Sequence, residues 1–172
     1  MTQDNSIKSR VWEFFQSLGK TFMFPVSLLA FMGLLLGVGS SITSPSTIKS
    51  FPFLGGELTQ LTFGFIATVG GFAFTYLPVM FAIAIPFGMA KRNKAVGAYS
   101  GFVGYMLMNM SINYYLTATH QLADAATMKQ VGQSVVLGVQ TLEMGVLGGI
   151  IAGVITYFLH EQIGRASCRE RV

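Results

Sequence analysis

Charged residues are scarce in this chain: of 172 residues, 11 are Lys or Arg and 7 are Asp or Glu. Their 10% share compares with about 25% in soluble domains. Cys168 is the one cysteine. The low charge excludes an ordinary soluble enzyme, and the single cysteine excludes a disulfide-built fold. What is abundant is Phe, Met and Gly, in a chain that is 52% hydrophobic, which is typical of proteins that cross the membrane repeatedly.

The few charges separate four long uncharged stretches. These stretches cover residues 21–48, 58–90, 95–123 and 144–160. A helix needs about 20 apolar residues to cross the hydrocarbon core of a bilayer, and three of the stretches exceed that length. The sequence therefore predicts an all-α membrane protein with about four transmembrane helices. The expected crossings are about 21–42, 58–90, 95–117 and 144–159.

The second crossing is too long for one upright helix and contains two prolines, Pro78 and Pro86. Each proline removes a backbone donor and clashes with the preceding helical turn. We expect this crossing to be a helix broken near these prolines, or a membrane helix followed by a shorter segment. The carbonyls freed near Tyr76 and Ala82 are tolerable only where they are buried in protein or line a water-filled cavity.

Residues 1–20, before the first crossing, carry apolar side chains at helical spacing and charges mostly on the opposite face. This pattern predicts a short amphipathic helix that lies at the cytoplasmic membrane interface, anchored by Trp12. The apolar positions are Val11, Phe14, Phe15 and Leu18.

Lysine and arginine are distributed unevenly over the flanking segments. The N-terminal segment has three of them and the 91–94 loop has three, whereas segments 40–57 and 118–143 have one each. The positive-inside rule then places the N-terminus, the 91–94 loop and the C-terminal end in the cytoplasm. The basic residues could also bind anionic lipid, although their role in orientation already explains them. They include Arg10, Lys91, Arg92 and Lys94.

The last ten residues, 163–172, resemble one reading frame of a common sequencing-adapter oligonucleotide. We therefore predict that they are a non-native tail and that the membrane domain spans residues 21–162. The alternative is a native basic tail after the last helix. Removal of the tail would remove Cys168, so no disulfide or cysteine metal site is predicted.

The sequence predicts no catalytic residue, no metal site and no cofactor. His120 and His160 have no second ligand at metal spacing, and we expect both to be solvated interface residues. The crossings contain no Asp, Glu, Lys or Arg, so no proton relay or ion site is predicted. Asn109 and Asn113 are spaced i, i+4 in the third crossing, where they could bond a neighbouring helix or a polar substrate.

Glycines recur at four-residue spacing within three of the crossings. Small residues at this spacing let two helix backbones approach closely in lipid, where packing drives association. The glycines are therefore candidates for helix–helix contacts. They are Gly33 and Gly37, Gly97 and Gly101, and the series Gly145, Gly149 and Gly153.

Five blocks of the sequence carry a resemblance to a known family. They are residues 12–26 (WEFFQSLGKTFMFPV), 33–40 (GLLLGVGS), 77–90 (LPVMFAIAIPFGMA), 93–94 (NK) and 101–105 (GFVGY). These blocks resemble EIIC permeases of the bacterial phosphoenolpyruvate:sugar phosphotransferase system. Within that family the resemblance is to the glucose superfamily and its maltose- and glucose-type permeases.

The resemblance covers about residues 11–162 and implies a domain of the bacterial inner membrane that imports sugar as the sugar is phosphorylated. The implied partners are a maltose- or glucose-class sugar, an EIIB domain phosphorylated on cysteine, the upstream phosphotransfer proteins, membrane lipid and a second copy of the chain. No nucleic acid is implied. In this family the N-terminal helices supply much of the dimer contact, and the sugar site lies mainly in later helices.

The family activity is that of a protein-phosphohistidine–sugar phosphotransferase, yet the EIIB cysteine and the later sugar-site half have no counterpart here. No catalytic or substrate-binding residue is therefore carried over. The chain is expected to be an N-terminal fragment that is inactive alone. The alternatives are a fragment of another secondary transporter, or a small four-helix structural membrane protein.

Overall fold

The computed structural model describes the backbone of residues 2–169 and the side chains of residues 8–164, and it is mainly helical. The tail predicted over 163–172 lies partly outside the described residues, so its origin remains a prediction. The elements in chain order are α1 (Thr2–Thr43), α2 (Pro45–Ser50), a short 3₁₀ helix (Pro52–Gly55), α3 (Glu57–Thr75), α4 (Leu77–Met89), α5 (Lys94–Ala118), β1 (Gln133–Val136), β2 (Val139–Leu142) and α6 (Gly145–Arg169).

The chain divides into two compact units. The first contains the chain up to Phe22 and again from Pro78 onward, so it includes nearly all of α4 together with α5, the two strands and α6. The second unit is Met23–Leu77 and contains the remainder of α1 together with α2 and α3.

In the second unit, α1 and α3 approach each other at two glycines that have no Cβ to keep the backbones apart. A methyl group at Gly39 would lie 2.5 Å from the Ala67 nitrogen, and one at Gly70 would overlap the Leu36 nitrogen. Close approach of this kind increases dispersion contacts between helices, which is what holds helices together in lipid.

In the first unit, α4 is a short apolar helix that is buried on most sides. It is covered by α5 and α6, whose glycines lie against its backbone, and Phe22 of α1 contacts Phe81 edge-on at 5.0 Å between ring centroids. A helix that is hydrophobic all round is expected in such a position. Its buried residues are Val79, Phe81, Ala82, Ala84, Ile85, Pro86 and Met89.

The glycine prediction is confirmed for four of the five glycines in the first unit, Gly145 being the exception, and only weakly for the second unit. A methyl at Gly101 would overlap the Ala82 carbonyl, and one at Gly149 would overlap the Pro78 carbonyl. Within the described chain, methyls at Gly37 and Gly145 would meet nothing within 4 Å, and one at Gly33 would make an ordinary 3.6 Å contact with Phe74. The remaining predicted glycines, Gly97 and Gly153, lie against α4.

The second crossing is broken at one of its two prolines. The break is at Tyr76 (φ −101°, ψ 16°), two residues before Pro78, and it separates α3 from α4. The expected break at Pro86 is wrong, because this residue lies inside α4. Pro86 removes the donor for the Ala82 carbonyl, and the helix continues because Ala82 is fully buried in protein.

The prediction that the N-terminal interfacial helix is a separate element is also wrong. α1 runs without interruption from Thr2 to Thr43 and passes through Gly19 and Pro25. A single glycine costs about 1 kcal/mol in a helix, which the long flanking helical stretches tolerate.

Within the described residues, three helices are long and apolar enough to cross a membrane: Lys8–Thr43, Glu57–Thr75 and Gly145–Gly164. α5 is 25 residues long, but its Asn, Ser, Thr and Tyr side chains make it less apolar than those three. α4 is apolar but only 13 residues long. The count of four crossings and the orientation of the termini therefore remain predictions.

The all-α expectation fails between α5 and α6, where the chain forms a β-hairpin. β1 and β2 pair antiparallel, with Gln133 opposite Leu142 and Val136 opposite Val139. The turn residues Leu137 and Gly138 both have positive φ, 50° and 84°. Such a two-residue turn matches the twist of the strands, and it is usually built from Asn-Gly rather than Leu-Gly.

Leu137→Asn is expected to stabilise the hairpin, because asparagine tolerates positive φ better than leucine. We expect a gain of about 0.5–1 kcal/mol in the local free energy of opening. Slower amide hydrogen exchange over residues 133–142 would measure it. Gly138→Ala, at the same turn, should speed exchange, and equal exchange in both variants would contradict the turn geometry.

Candidate functional site

Polar side chains concentrate where the hairpin meets the C-terminal half of α5. We call Asn113, Gln133, Gln140 and Thr141 the hairpin cluster. β2 packs against α5, and the Asn113 Nδ2 donates a hydrogen bond to the Gln140 carbonyl at 2.7 Å. This bond joins residues that lie 27 positions apart in the chain.

Two glutamine side chains tie the hairpin to the loop that precedes it. The Gln140 Nε2 donates to the Gln133 Oε1 at 2.9 Å and to the Ala123 carbonyl at 2.7 Å. The Gln133 Oε1 also accepts from the Ala123 N–H at 3.1 Å, and its Nε2 donates to the Gln121 carbonyl at 2.8 Å. Both amides are thus engaged as donor or acceptor, as buried amides must be to avoid a desolvation penalty.

Thr141 is the exception in the hairpin cluster. Its side chain is fully buried, and its Oγ1 has no hydrogen-bond partner among the described residues. A buried hydroxyl without a partner costs about 1–3 kcal/mol relative to a solvated one. This site therefore carries an unfavourable contribution to the packing of β2 on α5.

The two asparagines predicted as helix contacts have different partners. Asn109 is 2% exposed, and its Nδ2 donates to the Tyr105 carbonyl of its own helix at 2.8 Å. Asn113 bonds a strand rather than a helix. A contact of either residue with a polar substrate stays a prediction.

At the other end of α5, the basic 91–94 loop meets α6. The Lys91 N–H donates to the Glu161 Oε1 at 3.1 Å, and the His160 Nε2 lies 3.2 Å from the Arg92 carbonyl. Because a carbonyl only accepts, the His160 Nε2 must carry a proton. His160 therefore helps to position the loop, and His120 lies exposed in a turn with φ 55°.

The groups brought together at the hairpin cluster are amides and a hydroxyl, which can hydrogen-bond but are not activated nucleophiles. Over residues 8–164, no group of three or more His, Cys, Asp or Glu side chains could hold a metal ion. Gln133, Gln140 and Thr141 were not among the residues expected to matter. The available signal was the pair of polar dipeptides, Gln133-Ser134 and Gln140-Thr141, that flank the apolar run 135–139.

Comparison with known proteins identifies the family. The family model described as "Phosphotransferase system, EIIC" matches residues 19–166. The chain is 48% identical over 164 residues to the PTS system maltose-specific EIICB component of Escherichia coli (strain K12), covering 94% of this chain and 31% of that protein. It is 34% identical over 148 residues to the PTS system glucose-specific EIICBA component of Staphylococcus saprophyticus, covering 86% and 21% respectively.

The chain thus spans less than a third of the length of either relative. The resemblance inferred from residues 11–162 is confirmed, since the family model covers nearly the same range. The match includes all of α3, α4, α5 and both strands. This chain, with its several apolar helices able to span a bilayer, is a multi-pass protein of the bacterial inner membrane and belongs to the EIIC family of the sugar phosphotransferase system.

Proposed function

We propose that this chain is part of a permease that imports a maltose- or glucose-class sugar and couples import to phosphorylation of that sugar. The observation that carries the proposal is the 48% identity to a maltose-specific component over 94% of the chain. Substrate class often follows similarity of this degree and extent, and the 34% identity to a glucose-specific component points to the same class.

The partners follow from the same comparison. The names of the two relatives combine the C part with a B part, and in one case also with an A part. We therefore propose that an EIIB domain and the upstream phosphotransfer proteins deliver the phosphoryl group. We also propose that the protein is a homodimer in contact with membrane lipid.

The division of the chain is part of the proposal. Residues 21–162 would form the N-terminal part of the membrane domain, residues 1–20 would lie at the cytoplasmic interface, and residues 163–172 would be non-native. The unequal distribution of Lys and Arg supports cytoplasmic positions for the N-terminus and the 91–94 loop.

Large apolar side chains exposed along the helices support contact with lipid. Met23 is 72% exposed, Phe65 68% and Leu147 70%. Exposed apolar surface of this extent is rare on soluble monomers and marks a membrane or partner interface.

The test compares the 172-residue chain with the genomic reading frame that contains it. Each is placed in membrane vesicles with the general phosphotransfer proteins and labelled maltose or glucose. We expect phosphoenolpyruvate-dependent uptake and sugar phosphate with the complete frame, and neither product with the 172 residues alone, which span 31% of the maltose-specific relative.

Each other result has a definite meaning. Uptake by the 172 residues would contradict their proposed inactivity. Uptake by the complete frame that follows a proton or sodium gradient without phosphoenolpyruvate would instead favour a secondary transporter. If the complete frame transports neither sugar under any of these conditions, the proposed substrate class is wrong.

A further inference from the structure

We propose that the hairpin, residues 133–142, is a strap that alternately docks on α5 and releases from it. In this proposal Asn113 favours the docked state and Thr141 favours release. The proposal concerns a conformational device within the first unit and does not depend on which sugar, if any, the protein carries.

The docked hairpin is held mainly by polar groups. Its most deeply buried side chains are Gln133 and Thr141, at 3% and 0% exposure, whereas Val136 and Val139 are half-buried and Val135 and Leu142 are 58% and 41% exposed. Burial of apolar surface is what normally shifts such an equilibrium strongly towards the docked state. A protein–protein hydrogen bond gains much less, because release exchanges it for bonds to water. The polar bonds therefore contribute only modestly to the free-energy difference between the docked and released states.

Neighbouring residues of β2 act in opposite directions. The Gln140 carbonyl accepts the bond from Asn113 at 2.7 Å, and this bond is lost when the strap leaves α5. The adjacent Thr141 hydroxyl has no partner among the described residues and is fully enclosed, so nothing outside the packed chain can reach it. It gains hydrogen bonds only when the strap is released, since release exposes it.

Most of the glutamine bonds do not oppose release. Gln133 and Gln140 bond to Gln121 and Ala123 of the loop that precedes the hairpin. Ala123 and the hairpin can therefore move together without breaking the bonds between them. The Gln133 bond to the Gln121 carbonyl adds to docking, because the Gln121 N–H donates to the Leu116 carbonyl of α5 at 2.9 Å. Asn113 is the residue of α5 whose side-chain bond must break.

The register of the hairpin supplies a matched pair of reporters. Ser134 pairs with Thr141, so the two side chains lie on the same face of the hairpin. Val135, the next residue, lies on the opposite face and is 58% exposed. Ser134 is half-buried, so a cysteine at position 134 is partly shielded in the docked state, whereas one at position 135 stays accessible.

The experiment measures the rate at which a hydrophilic maleimide modifies Ser134→Cys, with Cys168→Ser in the background and the whole 172-residue chain in lipid nanodiscs. We expect Thr141→Val to slow modification about tenfold, because it keeps the side chain's shape and removes the unpaired hydroxyl. Asn113→Ala is expected to accelerate modification about tenfold, because the bond to Gln140 is lost. The rate at Val135→Cys should not change in either background.

The proposal is overturned if Thr141→Val leaves the rate at position 134 unchanged or raises it. It is also overturned if position 134 never reacts, if it always reacts as fast as position 135, or if Asn113→Ala changes both positions equally. Thr141→Val preserves the volume of the side chain, so this arm decides the question even if Asn113→Ala does not fold.

Discussion

Gly101→Ala is expected to lower the stability of the first unit more than any other exchange of a glycine for alanine in α5. The added methyl would overlap the Ala82 carbonyl and lie 2.7 Å from the Pro86 ring. Neither neighbour can move easily, because one is backbone and the other is a ring fixed in the same buried helix. Overpacking of this kind costs about 1–3 kcal/mol, and we expect the upper end of that range.

The measurement is the midpoint of thermal unfolding in detergent, which should fall by roughly 5–10 °C. Gly64→Ala is the matched control, since it lies inside α3 and a methyl there would meet nothing within 4 Å. That control should be neutral or stabilising, because alanine is favoured over glycine in a helix by about 0.5–1 kcal/mol. Equal midpoints for the two variants would mean that α5 does not lie against α4 at Gly101.

The same contact explains how α4 continues through a proline. Pro86 leaves the Ala82 carbonyl without its helical donor, and Gly101 lies directly against that carbonyl. The Cα–H groups of a glycine can make weak hydrogen bonds to a carbonyl at such close approach. Gly153 of α6 lies near the same group, with a methyl there 3.3 Å from the Ala82 oxygen. Buried carbonyls of this kind are tolerated only inside protein.

Some of this architecture can be predicted from the sequence because it follows from local rules. The charge-free stretches predict the helices, since a charge in the hydrocarbon core is costly. Pro78 predicts the break at Tyr76. Pro86 gives the same local signal but no break, because the outcome depends on whether another helix covers the freed carbonyl. That information lies in Gly101, which is distant in the sequence.

The hairpin is difficult to predict for two physical reasons. Each strand has only four residues, so alternation of polar and apolar side chains has little length in which to appear. The turn residues, Leu137 and Gly138, differ from the usual Asn-Gly signal for a two-residue hairpin. The hairpin cluster was missed for the same reason, since its residues become neighbours only once the hairpin forms.

The close approach of α1 and α3 also depends on residues that are distant in the sequence. Gly33 and Gly37 have the spacing expected of a helix contact, yet the tight contacts are made by Gly39 and Gly70. A spacing within one helix shows which residues share a face. It does not show which face meets a partner, because that choice depends on the side chains of both helices.

Asn109→Asp is expected to cause the second large loss of stability. Asn109 is 2% exposed, and its Nδ2 donates to the Tyr105 carbonyl at 2.8 Å. The exchange keeps the shape of the side chain but replaces the donor by an anion that faces a carbonyl oxygen. A buried polar group that loses its hydrogen-bond partner costs about 1–3 kcal/mol, and a charged group costs more. Repulsion from the carbonyl adds to the cost.

Asn93→Asp is the matched control. It is the same substitution, made at an exposed asparagine in the 91–94 loop just before α5. Asn93 has φ 50° and makes no side-chain cap bond, and both asparagine and aspartate tolerate this backbone. The control should therefore unfold close to the midpoint of the unmodified chain. Lower pH should restore part of the loss at position 109 only, since a protonated carboxyl can donate to the Tyr105 carbonyl as the amide does. If both variants unfold at the same temperature at neutral pH, Asn109 is in contact with water, and the burial of this face of α5 is wrong.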